Sequence, residues 1–348
     1  MKSHNLHYLI VGTGGVGGSI AAFLKLAGAD VACIARGRHL EAMNARGLVF
    51  HSDLKGEHTL QIPAYTAEEY MELVDEKGKR KSAAEQDDER NSAFGQEQED
   101  YRPDVIVVCV KGYSLDSIAP LISRVAKPDT VVLPILNVYG TGPRIQRLCP
   151  RVTVLDGCIY IVGFVSGIGE ISQMGQIFRL VFGAHPGTEA AYPGGAAALT
   201  ARIGQVQADL SGAGIVTEIS PDINRDTFVK WSFISAMALT GAYFDVPMGE
   251  VQKPGEVRDT FVGLTRESVA LGEKLGIDFG KDMVAYNLKV IDSLDPQSTA
   301  SMQKDLARGH QSEIQGLLFD MIAQAEAAGI DIPTYRMVEK KFKAYPEK

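Results

Sequence analysis

Residues 7–28 read HYLIVGTGGVGGSIAAFLKLAG, and this stretch decides the fold. Residues 7–12 are an apolar run that predicts a short strand. A glycine-rich segment with the pattern G-x-G-x-x-G follows directly, and the residues after it predict a helix that ends near Gly28. A strand, a glycine loop and a helix in this order are typical of the start of a dinucleotide-binding α/β domain.

The glycines of this loop suit the binding of a pyrophosphate. Gly12 permits a tight turn, Gly14 lets the backbone approach the phosphates, and Gly17 lets the helix pack closely on the strand. The N-terminus of the helix adds amide hydrogens and positive potential. The predicted cofactor-binding loop consists of Gly12, Thr13, Gly14, Gly15, Val16 and Gly17. The alternative is a glycine-rich turn with a structural role only.

The end of the second predicted strand indicates which cofactor is bound. Residues 30–36, DVACIAR, end in Arg36 rather than in the acidic residue that binds the ribose hydroxyls of NAD. The planar, permanently charged guanidinium of arginine suits a 2′-phosphate. We therefore expect NADP(H) in preference to NAD(H). The alternative is that Arg36 and Arg38 are simply solvated surface residues.

Strands and helices alternate through the first part of the chain. The apolar runs at 104–112 and 130–137 predict buried parallel strands, and helices are predicted around 114–126 and 141–148. This order predicts a Rossmann-type, doubly wound parallel sheet. Residues 75–103 form a highly charged insertion, which we expect to be a solvated surface segment.

From about Pro221 the pattern changes to helices alone. We therefore predict a Rossmann-type NADP-binding domain at 1–219 and an all-α domain at 220–348. The predicted helices of the second domain are 222–243, 255–275, 279–293, 297–308, 312–328 and 334–344.

The bulk composition of the 348-residue chain argues against several classes of protein. Its formal net charge of −8 disfavours a general binder of nucleic acid or of anionic membranes. No uncharged apolar run reaches the roughly 18 residues that span a bilayer, and the first residues lack a signal-peptide pattern. The four cysteines show neither a disulfide framework nor metal-site spacing. We expect a cytoplasmic protein without a metal, whose partner is a small molecule.

One lysine stands out in the helical region. Residues 228–244, FVKWSFISAMALTGAYF, predict a helix buried on several sides, and Lys230 is its one formal charge. Burying an ammonium is costly unless the group is paired, neutralised or used. The alternative is that the stem lies on apolar surface while the amine reaches water.

Together these motifs resemble the ketopantoate reductase family, whose members reduce 2-dehydropantoate to pantoate with NADPH. The resemblance covers nearly the whole chain apart from the charged insertion. It implies a C-terminal domain like that of 6-phosphogluconate dehydrogenase. VKGYSL, residues 110–115, places Lys111 where the family contacts cofactor and substrate. ILNVYG, residues 135–140, keeps Asn137, which in the family lies near the nicotinamide and the substrate, but has Val138 where glycine is usual.

The resemblance also implies catalytic and substrate-binding residues in the helical domain. In SMQKDLARGHQSEI, residues 301–314, Ser301 falls on the substrate-binding serine, Asp305 on an acidic residue one turn later, and Glu313 on the glutamate that works with the catalytic lysine. Aligning Phe228 with the family's aromatic residue places Lys230 on that lysine. A lysine partly removed from water can donate a proton near neutral pH and stabilise a developing alkoxide. Taken singly, Ser301, Glu313 and Asn137 also fit capping, helix-terminal and turn roles.

Three further positions depart from the family pattern, in addition to Val138. Ile234, Ala238 and Met248 stand where the family often has substrate-binding asparagines. The expected reaction is therefore NADPH-dependent reduction of a 2-oxo acid, either 2-dehydropantoate or a more apolar relative. A non-catalytic NADP(H) sensor is the alternative from another class. The sequence leaves a monomer and a homodimer both open.

Overall fold

The structure is a computed structural model, and it describes residues 6–76 and 101–343. The predicted insertion at 75–103 therefore lies mostly outside the described residues. The chain divides into two compact units. The first comprises Met1–Leu136 with Gly140–Ile223, and the second comprises Asn137–Tyr139 with Asn224–Lys348. The short segment Asn137–Tyr139 thus groups with the helical unit rather than with the chain around it.

The first unit contains a six-stranded sheet in which all neighbouring strands are parallel. In spatial order its strands are β5 (Ala64–Tyr65), β2 (Asp30–Ile34), β1 (His7–Val11), β6 (Val105–Val108), β7 (Val131–Pro134) and β8 (Thr153–Val154). The four strands that the sequence predicts are confirmed, although each observed strand is shorter than its apolar run.

The central strands are buried on both faces. Alternate residues of β1 enter different hydrophobic clusters, because side chains alternate across a strand. Tyr8 and Ile10 belong to one cluster, whereas Leu9 and Val11 belong to another. This arrangement explains why these strands read as continuous apolar runs rather than as alternating ones.

A second sheet of the first unit was not predicted. The long antiparallel hairpin of β9 (Asp156–Gly167) and β10 (Glu170–Gly183) forms its centre. The other strands, β3 (Leu48–Ser52), β4 (Gly56–Leu60) and β11 (Val216–Ile219), complete the order β11-β10-β3-β4, with β9 paired to β10.

Helices of the first unit follow the predicted alternation. They are α1 (Gly15–Leu26), α2 (Gly37–Arg46), α3 (Leu115–Val125), α4 (Thr141–Leu148) and α5 (Gly195–Gly212), and residues 67–76 are also helical. Helix α1 packs against β1 and β2 of the six-stranded sheet and against β9 and β10 of the second sheet. The glycine loop at its N-terminus therefore lies beside the hairpin.

The described part of the second unit is all-α, as predicted. Its helices are α6 (Ile223–Phe244), α7 (Met248–Val251), α8 (Glu256–Lys274), α9 (Met283–Asp292), α10 (Ser301–Ala307), α11 (Asp320–Ala328) and α12 (Pro333–Phe342). A π-helical segment, Gln315–Phe319, runs directly into α11. In the described part of the chain, no helix is both long and apolar enough to cross a membrane.

Two helices begin later than predicted, and polar side chains explain why. Asp282 caps α9 by accepting a hydrogen bond from the amide of Ala285 at 3.0 Å. Before α10, Asp295 accepts from the amide of Gln297 and so forms a turn around Pro296. The bond to Asp282 takes the amide of Ala285 away from an intrahelical bond, and the carbonyl of Ser298 accepts from the amide of Met248 at 2.9 Å rather than from a residue of α10.

Candidate active site

The glycine loop is a tight turn of the backbone between β1 and α1. Gly12 has a φ of +97°, in the region that favours glycine, and its amide donates to the carbonyl of Ile34 at 3.1 Å. A β-carbon on Gly17 would lie 2.1 Å from the carbonyl oxygen of Gly12, so only glycine fits there. Thr13 is buried and donates its hydroxyl to the same carbonyl of Ile34 at 3.0 Å. The loop is therefore fixed by its own backbone and by the end of β2.

Gly14 occupies a different environment. A β-carbon built on it meets no other atom within 4 Å. Gly14 is also the N-cap of α1, which has neither a side-chain cap nor an acidic residue in its first turn. Open space in front of uncapped amides at a helix N-terminus fits a phosphate group. The residues present thus fit a dinucleotide cofactor.

The loop also depends on a glycine that the sequence analysis did not consider. A β-carbon on Gly15 would lie 2.2 Å from the carbonyl oxygen of Gly163, in the middle of β9. The hairpin backbone therefore touches the first residue of α1. An isolated glycine within a strand often marks such a close approach, and this signal could have identified Gly163.

The other predicted cofactor residues also lie in the first unit. Arg36 is exposed and is the N-cap of α2, directly after β2. Lys111 is half-buried just beyond β6, where its carbonyl accepts from the amide of Ser114 at 2.9 Å. Because parallel strands β1, β2 and β6 are neighbours, their carboxyl ends bring the glycine loop, Arg36 and Lys111 to one edge of the sheet.

In the second unit, the structure brings two predicted residues into direct contact. The ammonium of Lys230 donates to the side-chain oxygen of Asn137 at 2.7 Å, although 93 residues separate them. Lys230 is only 7% exposed. The lysine is therefore buried and hydrogen-bonded, which contradicts the alternative that its amine simply reaches into water.

The segment that carries Asn137 is anchored within the second unit. The hydroxyl of Tyr139 donates to the side chain of Asn224 at 2.6 Å. The ring of Tyr139 packs edge-on against Phe228, with 4.9 Å between centroids, and lies near Trp231. Because the aromatic neighbours flank Lys230 on α6, Tyr139 helps to fix Asn137 against the lysine.

The remaining predicted residues also lie in the second unit. Glu313 is 6% exposed and lies two residues before the π-helical segment. Ser301 is the exposed first residue of α10, and Asp305 is half-buried one turn later. Residues four apart share a helix face, so Ser301 and Asp305 are neighbours on α10.

Comparison with known families identifies the chain. The family model described as ketopantoate reductase PanE/ApbA matches residues 8–187, and the model described as ketopantoate reductase PanE/ApbA C terminal matches residues 222–345. The chain belongs to the ketopantoate reductase family. It is an NAD(P)-dependent oxidoreductase, which confirms the predicted enzyme class and the nicotinamide cofactor. The alternative of a non-catalytic sensor is set aside.

Individual relatives agree with the family but are distant. An uncharacterized oxidoreductase of Bacillus subtilis, YkpB, is 24% identical, and the match covers 98% of this chain and 99% of the relative. The structure of 2-dehydropantoate 2-reductase from Geobacter metallireducens has a TM-score of 0.79 at 21% identity, covering 98% and 100% of the two chains. A D-mandelate dehydrogenase solved with NADH and anilino(oxo)acetate has a TM-score of 0.76 at 18% identity, covering 97% of each chain.

Proposed function

We propose that this ketopantoate reductase family member reduces a 2-oxo acid to the 2-hydroxy acid with NADPH, as a 2-dehydropantoate 2-reductase does. The observation that carries the proposal is the buried ammonium of Lys230, held at 2.7 Å by the amide oxygen of Asn137. A buried cation at a fixed position suits the stabilisation of negative charge that develops on a carbonyl oxygen.

Two events complete the proposed reaction. When bound, the cofactor supplies a hydride to C2 of the oxo acid. Lys230 donates a proton to the ketone oxygen, so that the alkoxide becomes a hydroxyl group. The bond to Asn137 orients the ammonium and lowers the cost of keeping it away from water.

The other residues have supporting roles in this proposal. Glu313 is buried in the same unit as Lys230, which supports a role in orienting the lysine or in binding the new hydroxyl group. Ser301 and Asp305 contact the substrate from α10. In the first unit, the glycine loop binds the pyrophosphate, Lys111 contacts the cofactor, and Arg36 binds the 2′-phosphate of NADPH.

The decisive experiment measures NADPH oxidation against a panel of 2-oxo acids. The panel includes 2-dehydropantoate, 2-oxoisovalerate and longer branched analogues, and a reaction without oxo acid is the blank. We expect oxidation that depends on at least one oxo acid and yields the corresponding 2-hydroxy acid. Oxidation that never exceeds the blank would reject the proposal.

A more apolar oxo acid is the second candidate, because of the residues that follow Lys230 on α6. Ile234 and Met237 lie one and two turns after the lysine, and both are half-buried. Ala238 and Met248, at 1% exposure each, belong to the hydrophobic core of the second unit. Among the three positions where the family often has asparagine, Ile234 alone therefore retains surface on which a substrate tail can lie.

The ratio of kcat/KM values separates the two candidates. A hydroxyl group left without a partner costs roughly 1–3 kcal/mol, whereas a buried methylene contributes about 0.8 kcal/mol. We expect the apolar analogues to match or exceed 2-dehydropantoate. If 2-dehydropantoate is preferred by more than about 100-fold, a margin worth nearly 3 kcal/mol, its hydroxyl has a polar partner elsewhere.

Location and assembly stay predictions. All four cysteines are free thiols, which supports a reducing compartment such as the cytoplasm. Sedimentation of the purified chain would distinguish a monomer from a homodimer, the two states that the sequence leaves open.

A further inference from the structure

An unusual turn of helix lies beside the proposed catalytic residues. Residues Gln315–Phe319 are π-helical, between Ile314 and the start of α11 at Asp320. A π turn bonds each carbonyl to an amide five residues ahead, so it interrupts the regular α-helical ladder and is often found at functional sites. Other contacts must offset the cost of that interruption.

Two side chains of α6 bind the carbonyl groups of this π segment. The indole Nε1 of Trp231 donates to the carbonyl of Gly316 at 3.1 Å, and the hydroxyl of Ser235 donates to the carbonyl of Leu317 at 2.7 Å. Trp231 and Ser235 are buried and lie four residues apart, so they share one face of α6. Trp231 directly follows Lys230, so the helix that carries the ammonium also holds the π segment.

The π segment in turn contacts the loop that carries Asn137. A β-carbon on Gly316 would lie 2.5 and 2.6 Å from the two methyl groups of Val138. The side chain of Val138 therefore occupies the space that any larger residue at 316 would need. Val138 is the residue that departs from the usual family glycine, and Gly316 provides the complementary space.

The π segment and the residues that contact it, Val138, Trp231 and Ser235, form one cluster. Each proposed catalytic group is next to a member of this cluster. Lys230 is adjacent to Trp231, and Asn137 is adjacent to Val138. The carbonyl of Glu313 accepts a hydrogen bond from the amide of Leu317 at 3.1 Å, which connects the glutamate to the π segment. The hydroxyl groups of Ser235 and Tyr335 lie 2.8 Å apart, which extends the cluster to α12.

We propose that Trp231 and Ser235 are positioning residues that hold the π segment in place. The contact between Val138 and Gly316 then fixes the position of Asn137 relative to that segment. Together they set the geometry of Asn137 and Glu313 around the ammonium of Lys230. This inference rests on the proposed function, since it concerns how the same groups are arranged.

The first test removes one hydroxyl group from α6. Ser235→Ala loses the bond to the carbonyl of Leu317 and the bond to the hydroxyl of Tyr335. Ser232→Ala is the matched control, because Ser232 is equally buried on the same helix but donates to the carbonyl of Val229 within that helix. We expect Ser235→Ala to lower kcat about 10- to 100-fold, as a displacement of catalytic groups by about 1 Å does. It should also shift the pH profile of kcat, and leave the Kd for NADPH unchanged.

A purely structural role predicts another result. Ser235→Ala and Ser232→Ala would then both lower the unfolding midpoint, while the pH profile of kcat stays that of the parent chain. That outcome would overturn the proposal.

The second test introduces a steric clash between residues 138 and 316 and then relieves it with a second substitution. Gly316→Ala alone should lower kcat about 10- to 100-fold, because its methyl group needs the space of Val138. Adding Val138→Gly should recover most of the loss. Gly204→Ala on α5 is the control, since a β-carbon there meets no other atom within 4 Å. No recovery in the double variant would count against the coupling.

A readout without turnover keeps this inference separate from the proposed function. Trp231 is the single tryptophan of the chain, so its fluorescence reports directly on the cluster. We expect Gly316→Ala to change the emission of Trp231 and the double variant to restore it, whether or not any oxo acid is reduced. Unchanged emission in Gly316→Ala would reject the inference, whereas an inactive parent chain with this emission pattern would reject the proposed function alone.

Discussion

At the scale of single residues, Lys230 and Asn137 show how a buried charge is tolerated. An unpaired ammonium in a core costs far more than a hydrogen-bonded one. The side-chain oxygen of Asn137 provides an acceptor at 2.7 Å without adding a second charge. The hydrogen bond to Asn137 orients the ammonium, as a proposed proton donor requires.

Removing the ammonium should abolish most of the turnover. We expect Lys230→Ala to lower kcat by about 10²–10⁴-fold, the usual contribution of a positioned proton donor. Lys230→Met is the matched variant, because it keeps an apolar stem of similar length, and it should be as impaired as the alanine variant. Steady-state kinetics with the best oxo acid of the panel checks this. Near-normal turnover in Lys230→Met would mean that the ammonium takes no part in the reaction.

Arg36 is expected to set the cofactor preference. Arg36→Ala should weaken binding of NADPH by on the order of 1.5–3 kcal/mol, as for a hydrogen bond to a charged group, and should leave NADH nearly unaffected. Arg151→Ala removes another exposed arginine of the first unit and serves as the control. Titration of each variant with both cofactors measures the effect. Equal losses for NADPH and NADH would assign Arg36 no role at the 2′-phosphate.

At the scale of elements, α2 is fastened to the turn of the β9–β10 hairpin. The amide of Gly169 donates to Nδ1 of His39 at 3.1 Å. Arg46, at the other end of α2, binds the carbonyl of Ile168 and the carboxylate of Glu170. Because Gly163 of the same hairpin touches the first residue of α1, these contacts hold the hairpin beside the glycine loop.

The contact of His39 predicts a dependence of stability on pH. Burial lowers the pKa of His39 below its ordinary value, with a smaller opposing contribution from the backbone of Thr13. Protonation of His39 is therefore unfavourable in the folded chain, where its Nδ1 already accepts a hydrogen bond from Gly169. In the unfolded chain the same side chain takes up a proton below about pH 6.5. The unfolded state then binds more protons, so stability should fall as the pH decreases from about 7 through the folded-state pKa.

Substitution isolates that contribution. His39→Asn should reduce the decrease in the free energy of unfolding that occurs as the pH falls from about 7 to about 5. The parent chain provides the reference slope at the same pH values. Urea unfolding at several pH values measures both. An unchanged slope in His39→Asn would show that other groups cause the acid sensitivity.

At the scale of the whole molecule, the residues proposed to bind the cofactor and those proposed for the chemical step lie in different units. The glycine loop, Arg36 and Lys111 lie in the first unit, while Lys230 and Asn137 lie in the second. A division of this kind separates cofactor affinity from the chemical step. Substitutions of the proposed site residues in the first unit should therefore change cofactor affinity, whereas those in the second unit should change the chemical step.

Thermal unfolding in the presence of cofactor tests this division. NADPH at about 100 times its Kd should stabilise the folded chain by about 2.7 kcal/mol through mass action. Lys230→Ala should retain the full rise in the unfolding midpoint, whereas Arg36→Ala should show a smaller rise at the same NADPH concentration. A loss of the rise in Lys230→Ala would contradict the division of roles.

The parts that the sequence predicted well are those encoded locally. The glycine loop, its strand and its helix are contiguous, and strand burial and helix periodicity are visible in short windows. Helices α9 and α10 began late because the turn-forming side chains of Asp282 and Asp295 overrode the apolar pattern. The second sheet was missed as a whole because its two local pairs, β3–β4 and β9–β10, come from distant parts of the chain and join each other and β11 only after folding.

The sequence by itself determined the two kinds of architecture, the glycine loop and the presence of one lysine in an apolar helix. Tertiary structure alone decided that Asn137 accepts a hydrogen bond from Lys230, that Gly163 lies against the start of α1, and that Trp231 and Val138 both contact Gly316. The physical reason is separation along the chain. Local patterns record the conformation that each segment prefers, whereas contacts between residues some 85 to 180 positions apart exist only once the core has brought their elements together.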